Sequence, residues 1–472
     1  MITLSCAEIA TLLQGQLIGA NQPISSVSTD SRTISAGALF IALKGPNYDG
    51  SRFVTDVIEK GAAAIIVERA LDCELTQIVV ADTRLALGQL GAAIKARVQP
   101  KTIAVTGSAG KTTVKEMLAA ILSRCGQVLA TEGNFNNDIG VPLTLLRLTT
   151  EHQFAVMELG ANHAGEIAYT TSLVKPDVAI ITNAAASHLE GFGDTYGVAR
   201  AKGEIFSGLP AGGIAIMQHD SEFTDYWRNR CKDLKIISFA SDFKTGSTPD
   251  SASAKRHSAD IRAEQISLNA QGCAQFNLIY ENEQILMQLN LPGKHNVANA
   301  LAAAAAALAV GAKLTDVQQG LAQMAGVKGR TNVIELSKQI KLIDDSYNAN
   351  VESVKAAIDL LASYPGYRVL LLGDMAELGA NARLYHEEIG LYAKDAGINL
   401  LFTLGVLSQS ASDLFNGQGA HFSSRQSMLD RLNPLITTQQ SVTILVKGSR
   451  SAKMELVVQD LLERCQQERS PC

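Results

Sequence analysis

The chain is short of the devices that would make its function obvious. Its 472 residues include seven cysteines. Cys6, Cys73, Cys125, Cys231, Cys273, Cys465 and Cys472 form no CxxC pair, and none lies at metal spacing from a histidine. An odd, scattered set of this kind excludes a disulfide framework and a zinc ribbon, and reads as reduced thiols. No charge of one sign dominates: the net charge is −5. Without a basic excess to neutralise phosphates, nucleic acid is not expected as the main partner. The opening MITLSCAEIATLLQG lacks a basic n-region and carries Glu8, so it reads as an amphipathic first helix and not a signal peptide. The longest uncharged stretch, 295–312, contains Asn296 and Asn299 and is mostly alanine. Alanine gains little in lipid, so no membrane insertion is expected. Coiled-coil pairing and fixed-period repeats are also missing. A monomer in the cytoplasm is the resulting expectation.

What is present is ordinary globular composition, 46% hydrophobic and 18% charged, enough for several cores and unlike a disordered or collagen-like chain. The length suggests about three domains. Residues 1 to about 82 mix short strands and helices, with buried strands expected at 63–68 (AAIIVE) and 77–81 (QIVVA). Residues 84–98 form a helical link. From Lys101 the texture becomes strand-then-helix: TIAVTG, FAVMELG, DVAIITN, GIAIM. Short β-branched runs before helical periods predict a parallel sheet wrapped by helices. Residues 241–262 read as an exposed excursion, and QFNLIYENEQILMQLNL as a hairpin. A third unit starts near Thr331, with strands in KLIDDSY, RVLLLGD, NLLFTLG and TILVKGS, each ending where a polar residue or glycine enters. Ligands of open α/β sheets sit at such carboxyl ends.

One of those ends carries a phosphate loop. The strand 102–105 runs into Thr106-Gly107-Ser108-Ala109-Gly110-Lys111-Thr112-Thr113 and then a helix. Glycines let backbone N–H groups turn toward phosphate oxygens, and the helix N-terminus adds its positive dipole end. Lys111 can reach the β- and γ-phosphates, and the Thr112 hydroxyl can ligate Mg²⁺. Val105 stands where the general pattern has its first glycine, so the loop is a shortened TGxxGKT. The signal specifies nucleotide, not the reaction.

Other polar groups follow neighbouring strands. Glu158 ends the strand 154–157, and on position alone serves equally as a Mg²⁺ ligand or as a capping or salt-bridged carboxylate. His188, in AAASHLEGFG, follows a strand of the same sheet. A lone histidine is more often structural, and imidazole is a poor Mg²⁺ ligand. Lys202, in ARAKGEIF, reads by itself as a solvated lysine at the start of a helix. The segment EGNFNNDIGVPLT, with Asn137, suits a polar substrate or an Asx-turn loop.

Together the TGSAGKTT loop, MELG, HLEGFG with AKGEIF, GKHNVANALAA, Gly329-Arg330 and the strand ending at Asp345 resemble the Mur ligase family, the ATP-dependent amide-forming enzymes of peptidoglycan synthesis. The resemblance covers nearly the whole chain. GNFNNDIGVPLTLL, DSYNAN and LLLGDMAELG resemble the branch that joins D-alanyl-D-alanine to UDP-N-acetylmuramoyl-tripeptide, with Val351 where that branch commonly has proline. No DNPR segment of the diamino-acid-adding branch is present. Alternatives are another ligase of the family, diamino-acid-adding or folylpolyglutamate-like, or a P-loop ATPase switch.

The resemblance implies an α/β fold of three domains: a small N-terminal α/β UDP-sugar-binding domain (1–83), a central P-loop parallel-sheet ATPase domain (84–330) and a C-terminal Rossmann-like domain (331–472) binding the incoming amine. It implies ATP and two Mg²⁺ as cofactors, and UDP-MurNAc-tripeptide and D-Ala-D-Ala as substrates. Lys111, Thr112 and the rest of the loop would hold the triphosphate. Thr112 would hold the first ion, Glu158 and His188 the second, and a carbamoylated Lys202 would help to hold metal. Asn299 would contact adenine, Arg330 a phosphate and Asp345 the ribose. Asn137 would face substrate, and Asn348 and Asn350 would lie near the dipeptide. Ser28, Asp30, Ser31, Arg32 and Asn47 would serve the UDP-sugar.

Overall fold

The computed structural model describes residues 1–45, 48–241, 259–415 and 419–469. It contains three α/β units, each built on its own main sheet. The excursion expected within 241–262 lies mostly outside the described residues, as do Asn47 and Cys472.

In the first unit, Val27–Ser28, Leu39–Ile41, Ala64–Val67 and Thr76–Val79 run parallel, and Gln16–Ile18 closes the edge antiparallel. The amphipathic opening is shorter than its sequence suggests. A two-residue strand, Leu4–Ser5, precedes the helix Cys6–Leu12. Ser5 and Glu8 form a reciprocal capping box that starts the helix there.

The central sheet has nine strands. Lys101–Thr106 lies between Phe154–Glu158 and Val178–Ile181, all parallel. Ile214–Gln218 and Lys235–Ser241 extend the parallel run on one side and Val128–Ala130 on the other. The sheet is not wholly parallel. The expected hairpin, Cys273–Tyr280 with Glu283–Pro292, continues the sheet antiparallel beyond Ile261–Leu268. Residues alternate between two cores. Ile103 and Val105 face the helices Lys111–Leu122 and His295–Ala309. Ala104 lies in the other core, on the side where Glu166–Val174 packs against the strand. That second core runs on into the first unit through Ile9, Ile41, Ile66 and Ile78.

The alanine run has a packing reason. Ala300 and Ala302–Ala307 are fully buried where His295–Ala309 meets Lys111–Leu122 and the sheet. Small side chains let that helix lie close, and inserting larger ones would cost about 1–3 kcal/mol each through overpacking. Among the described residues no helix is long and apolar enough to cross a membrane. The described cysteines are all free.

The third unit's sheet runs Asn332–Glu335, Ile340–Asp345, Val442–Lys447, Tyr367–Gly373, Leu400–Leu404 and Gly419–Phe422. Four were foreseen. Asn332–Glu335 pairs antiparallel at one edge and Gly419–Phe422 parallel at the other. Both are short, half-buried edge strands, so the continuous apolar run that marks a central strand is missing from them.

Candidate active site

The phosphate loop is held by the next strand over. Asn183 brackets it: its Oδ1 accepts from Ala109 N at 2.9 Å and its Nδ2 donates to Ala109 O at 3.1 Å. The Thr182 hydroxyl donates to the same carbonyl at 2.6 Å. Gly110 has φ 83° and abuts Asn299 so closely that a Cβ would collide with its side chain. A left-handed, crowded position of this kind takes glycine. The helix Lys111–Leu122 begins directly after it. Lys111 is half-buried, its Nζ donates to Gly107 O at 2.7 Å, and desolvation pushes its pKa down against the pull of Glu158.

Strand register sets the first carboxylate. Val105 pairs with Glu158, so the carboxylate lies level with the start of the loop. Glu158 accepts from the Thr112 hydroxyl at 2.9 Å and from Asn136 Nδ2 at 2.8 Å. Among the described residues it caps no helix and makes no salt bridge; it is bonded to the loop. Its backbone N–H is tied to Thr131 Oγ1 at 3.0 Å, and the Thr131 carbonyl accepts from buried Lys115 Nζ at 2.8 Å. Lys115 was not foreseen. It lies one helical turn beyond Lys111, the only hint that sequence offers.

Two adjoining cavities open here. One, of about 290 Å³, is lined by Ser108–Thr113, His295, Asn299, Arg330, Asp345 and Lys447 among others. The other, of about 630 Å³, is lined by Asn136, Asn137, Glu158, His188, Tyr347 and Arg450 among others. Ser108, Lys111, Arg330, Asn348 and Asn350 line both. The third unit supplies one wall. Asn350 Nδ2 donates to Ser108 O at 3.2 Å while its Oδ1 caps the helix Val351–Ala362. Arg330 Nη2 donates to Thr112 Oγ1 at 3.3 Å and its guanidinium lies over the Tyr347 ring at 4.2 Å. Asp345 pairs with buried Lys447 at 2.6 Å. Lys447 also escaped the sequence reading, though it ends the apolar strand of TILVKGS. Asn137 Oδ1 accepts from Gly140 N at 2.8 Å, an Asx-type turn that still leaves the residue on the larger cavity.

Two residues need correction or completion. Lys202 is not a solvated lysine at the start of a helix. It lies in the last turn of Thr195–Gly203, at 0% exposure. Among the described residues its Nζ has no hydrogen-bond partner; it sits 5.4 Å from the Phe192 ring centroid, and burial with nearby Lys111 lowers its pKa to about 7. It is set behind the cavity, outside the residues that line it. His188 has φ 51° and brings Nδ1 against the carboxylate of Glu377 from the third unit, another residue that sequence missed. That histidine holds the Glu377 carboxyl below its usual range. No three His, Cys, Asp or Glu side chains group as a metal cage among the described residues.

The first unit's candidates stay apart. Asp30 pairs with Arg32 at 2.7 Å and its pKa falls to about 2. The Ser28 hydroxyl donates to Asp30 O, and the Ser31 carbonyl accepts from Lys60 Nζ. None of the four lines either large cavity.

A phosphate loop at the carboxyl edge of one sheet, with the third α/β unit walling the cavities beside it, defines a nucleotide-binding site of the P-loop class. The chain belongs to the Mur ligase family. Its residues 23–124 match the family's catalytic domain, 105–307 the Mur ligase middle domain and 329–450 the glutamate ligase domain. Over 463 residues it is 48% identical to the UDP-N-acetylmuramoyl-tripeptide--D-alanyl-D-alanine ligase of Escherichia coli, covering 98% of this chain and 99% of that protein. The enzyme of the same name from Haemophilus influenzae is 43% identical over 474 residues, covering 98% and 99%. The fold matches a crystal structure of MurF from Acinetobacter baumannii with TM-score 0.91 at 40% identity, covering 98% and 99%. It matches MurF ligase from Thermotoga maritima in complex with ADP with TM-score 0.80 at 25% identity, covering 94% and 98%.

Proposed function

We propose that this chain uses ATP to activate the terminal carboxylate of UDP-N-acetylmuramoyl-tripeptide and joins it to the amine of D-alanyl-D-alanine, releasing ADP and phosphate. The observation that carries the reading is the pair of cavities meeting at Lys111 and Arg330, in a chain alike end to end to ligases of that name. The smaller cavity suits the nucleotide, with Asn299 and Asp345 toward the nucleoside. The larger suits the muramoyl peptide and the dipeptide, with Asn137, Asn348 and Asn350 on its walls. Residues 1–83 would hold the UDP end, 84–330 the nucleotide and 331–472 the amine. The enzyme would act as a monomer in the cytoplasm.

A carboxylate is a poor acyl donor because oxide would have to leave. Transfer of the γ-phosphoryl group gives an acyl phosphate, whose carbonyl the amine attacks while phosphate departs. The first step brings two anions together. Lys111 and Arg330 lower that repulsion and face charge that grows during transfer. The second step needs water kept out; Asn350 holds the third unit against the loop, and Arg330, bonded to Thr112, lies over that unit's Tyr347 ring.

The donors fit Mg²⁺. Thr112 and Glu158 are hard oxygen ligands at hydrogen-bond distance from each other, and Mg²⁺ completes its shell with water and phosphate. Bound there, it would neutralise phosphate charge during transfer. Lys202 fits carbamoylation: a buried amine without a partner, its pKa near 7, carries the lone pair that adds to CO₂ with loss of a proton. The carbamate would join Glu158 and His188 at a second ion.

The test is phosphate release with UDP-MurNAc-tripeptide and a panel of amines: D-Ala-D-Ala, diaminopimelate and glutamate. Release should require both the muropeptide and D-Ala-D-Ala. Equal ATP consumption without an acceptor peptide, or preference for another amine, would reject the proposal.

A further inference from the structure

We infer that Arg450 anchors the free carboxylate of the incoming dipeptide, an assignment that rests on the function proposed above. The dipeptide reaches the site with two different ends. Its amine must be free to attack, whereas its carboxylate stays charged and costs free energy to bury without a cationic partner.

Four groups on the larger cavity can carry positive charge: Lys111, His188, Arg330 and Arg450. Three are already engaged inside the site. Lys111 Nζ is bonded to the phosphate loop, Arg330 Nη2 to Thr112, and His188 lies against Glu377. Arg450 differs. Its partner is Glu455, with Nη1 to Oε1 at 3.0 Å, and Glu455 does not line the cavity. The Arg450 side chain is 62% exposed and only one of its guanidinium nitrogens is bonded to Glu455, so the guanidinium keeps further N–H groups for a substrate carboxylate. A guanidinium also matches a carboxylate with two parallel hydrogen bonds.

The surroundings aim Arg450 at that task. It follows the strand Val442–Lys447 at the carboxyl end of the third sheet. The turn is fixed by Ser449, which is buried and donates its backbone N–H to Asp374 O at 2.8 Å. The hydroxyls of Ser449 and Ser451, 3.0 Å apart, lie on the same cavity and can donate to a carboxylate. The Tyr347 ring that supports Arg330 also lies 5.6 Å from the Arg450 guanidinium. One ring thus holds a phosphate-side cation and a dipeptide-side cation in fixed relation.

The experiment compares D-Ala-D-Ala with its C-terminal amide, which lacks the charge, at saturating ATP and muropeptide. Wild type should show a KM for the amide raised roughly 10- to 100-fold over the acid. Arg450→Met should raise the KM for the acid by a similar factor, leave the KM for the amide unchanged, and leave the KM for ATP unchanged. Arg450→Lys should recover part of the preference. If Arg450→Met weakens acid and amide equally, or neither, Arg450 does not read the carboxylate. If wild type releases no phosphate with D-Ala-D-Ala, the proposed function itself fails, and the anchor with it.

Discussion

The phosphate loop and the 28–32 turn of the first unit are both short polar segments after a strand, and they are held in opposite ways. The loop is held by others. Thr182 and Asn183 grip its Ala109, and Asn350 reaches Ser108 from the third unit. The 28–32 turn is held largely by itself, Asp30 on Arg32 and Ser28 on Asp30, with Lys60 closing over it from nearby. A segment fixed by distant partners keeps its own donors aimed at a ligand, which is the preorganisation that transition-state stabilisation needs. A segment that satisfies itself must trade those bonds for a ligand, so it suits binding more than chemistry.

The strongest attempt to break this contrast is Lys111→Ala. Phosphate release should fall by roughly a thousandfold or more, since one preorganised donor alone is worth about 10²–10³. Turnover near wild type in a stopped assay would remove the loop from the mechanism. Next comes Lys202→Ala, expected to be inactive and partly rescued by short carboxylates that replace the carbamate. Full activity without added carboxylate would reduce Lys202 to a buried structural residue.

A pH effect of intermediate size is expected at His295, on the smaller cavity. Burial lowers its pKa below 6.5, with Lys447 adding to the shift and Asp345 and Asp359 opposing it. The unfolded chain then binds a proton that the folded one refuses, so folding stability falls as pH drops below about 6.5. Denaturant titrations from pH 7.5 to 5.5 should show that loss for wild type and less of it for His295→Gln. Parallel curves would place the proton elsewhere.

The smallest effect sharpens the other side of the comparison. Asp30→Asn removes an exposed pairing and should leave the melting temperature unchanged, yet raise the KM for UDP-MurNAc-tripeptide by roughly fivefold through a lost charged contact. An unchanged KM would take the turn out of the UDP site.

Four central strands, Lys101–Thr106, Phe154–Glu158, Val178–Ile181 and Ile214–Gln218, were legible because each is a short apolar run ended by a polar residue, whereas Lys235–Ser241 inside the same sheet was not. The loop was legible because its glycines, lysine and threonines stand together in eight residues. The edge strands Asn332–Glu335 and Gly419–Phe422 were not, since half-buried strands carry weaker patterns. Lys447, Glu377 and Lys115 escaped for another reason. Each is an ordinary residue until its partner is known, and Asp345 lies 102 residues from Lys447 along the chain.

Sequence by itself determined the strand ends and the phosphate loop, because backbone geometry and the period of apolar residues act over a few positions. Only the tertiary structure decided that Lys202 is sealed from water with no partner, and that Arg330 meets Thr112 across 218 residues. Burial and long-range pairing depend on how separate sheets and helices dock, and no local pattern encodes that.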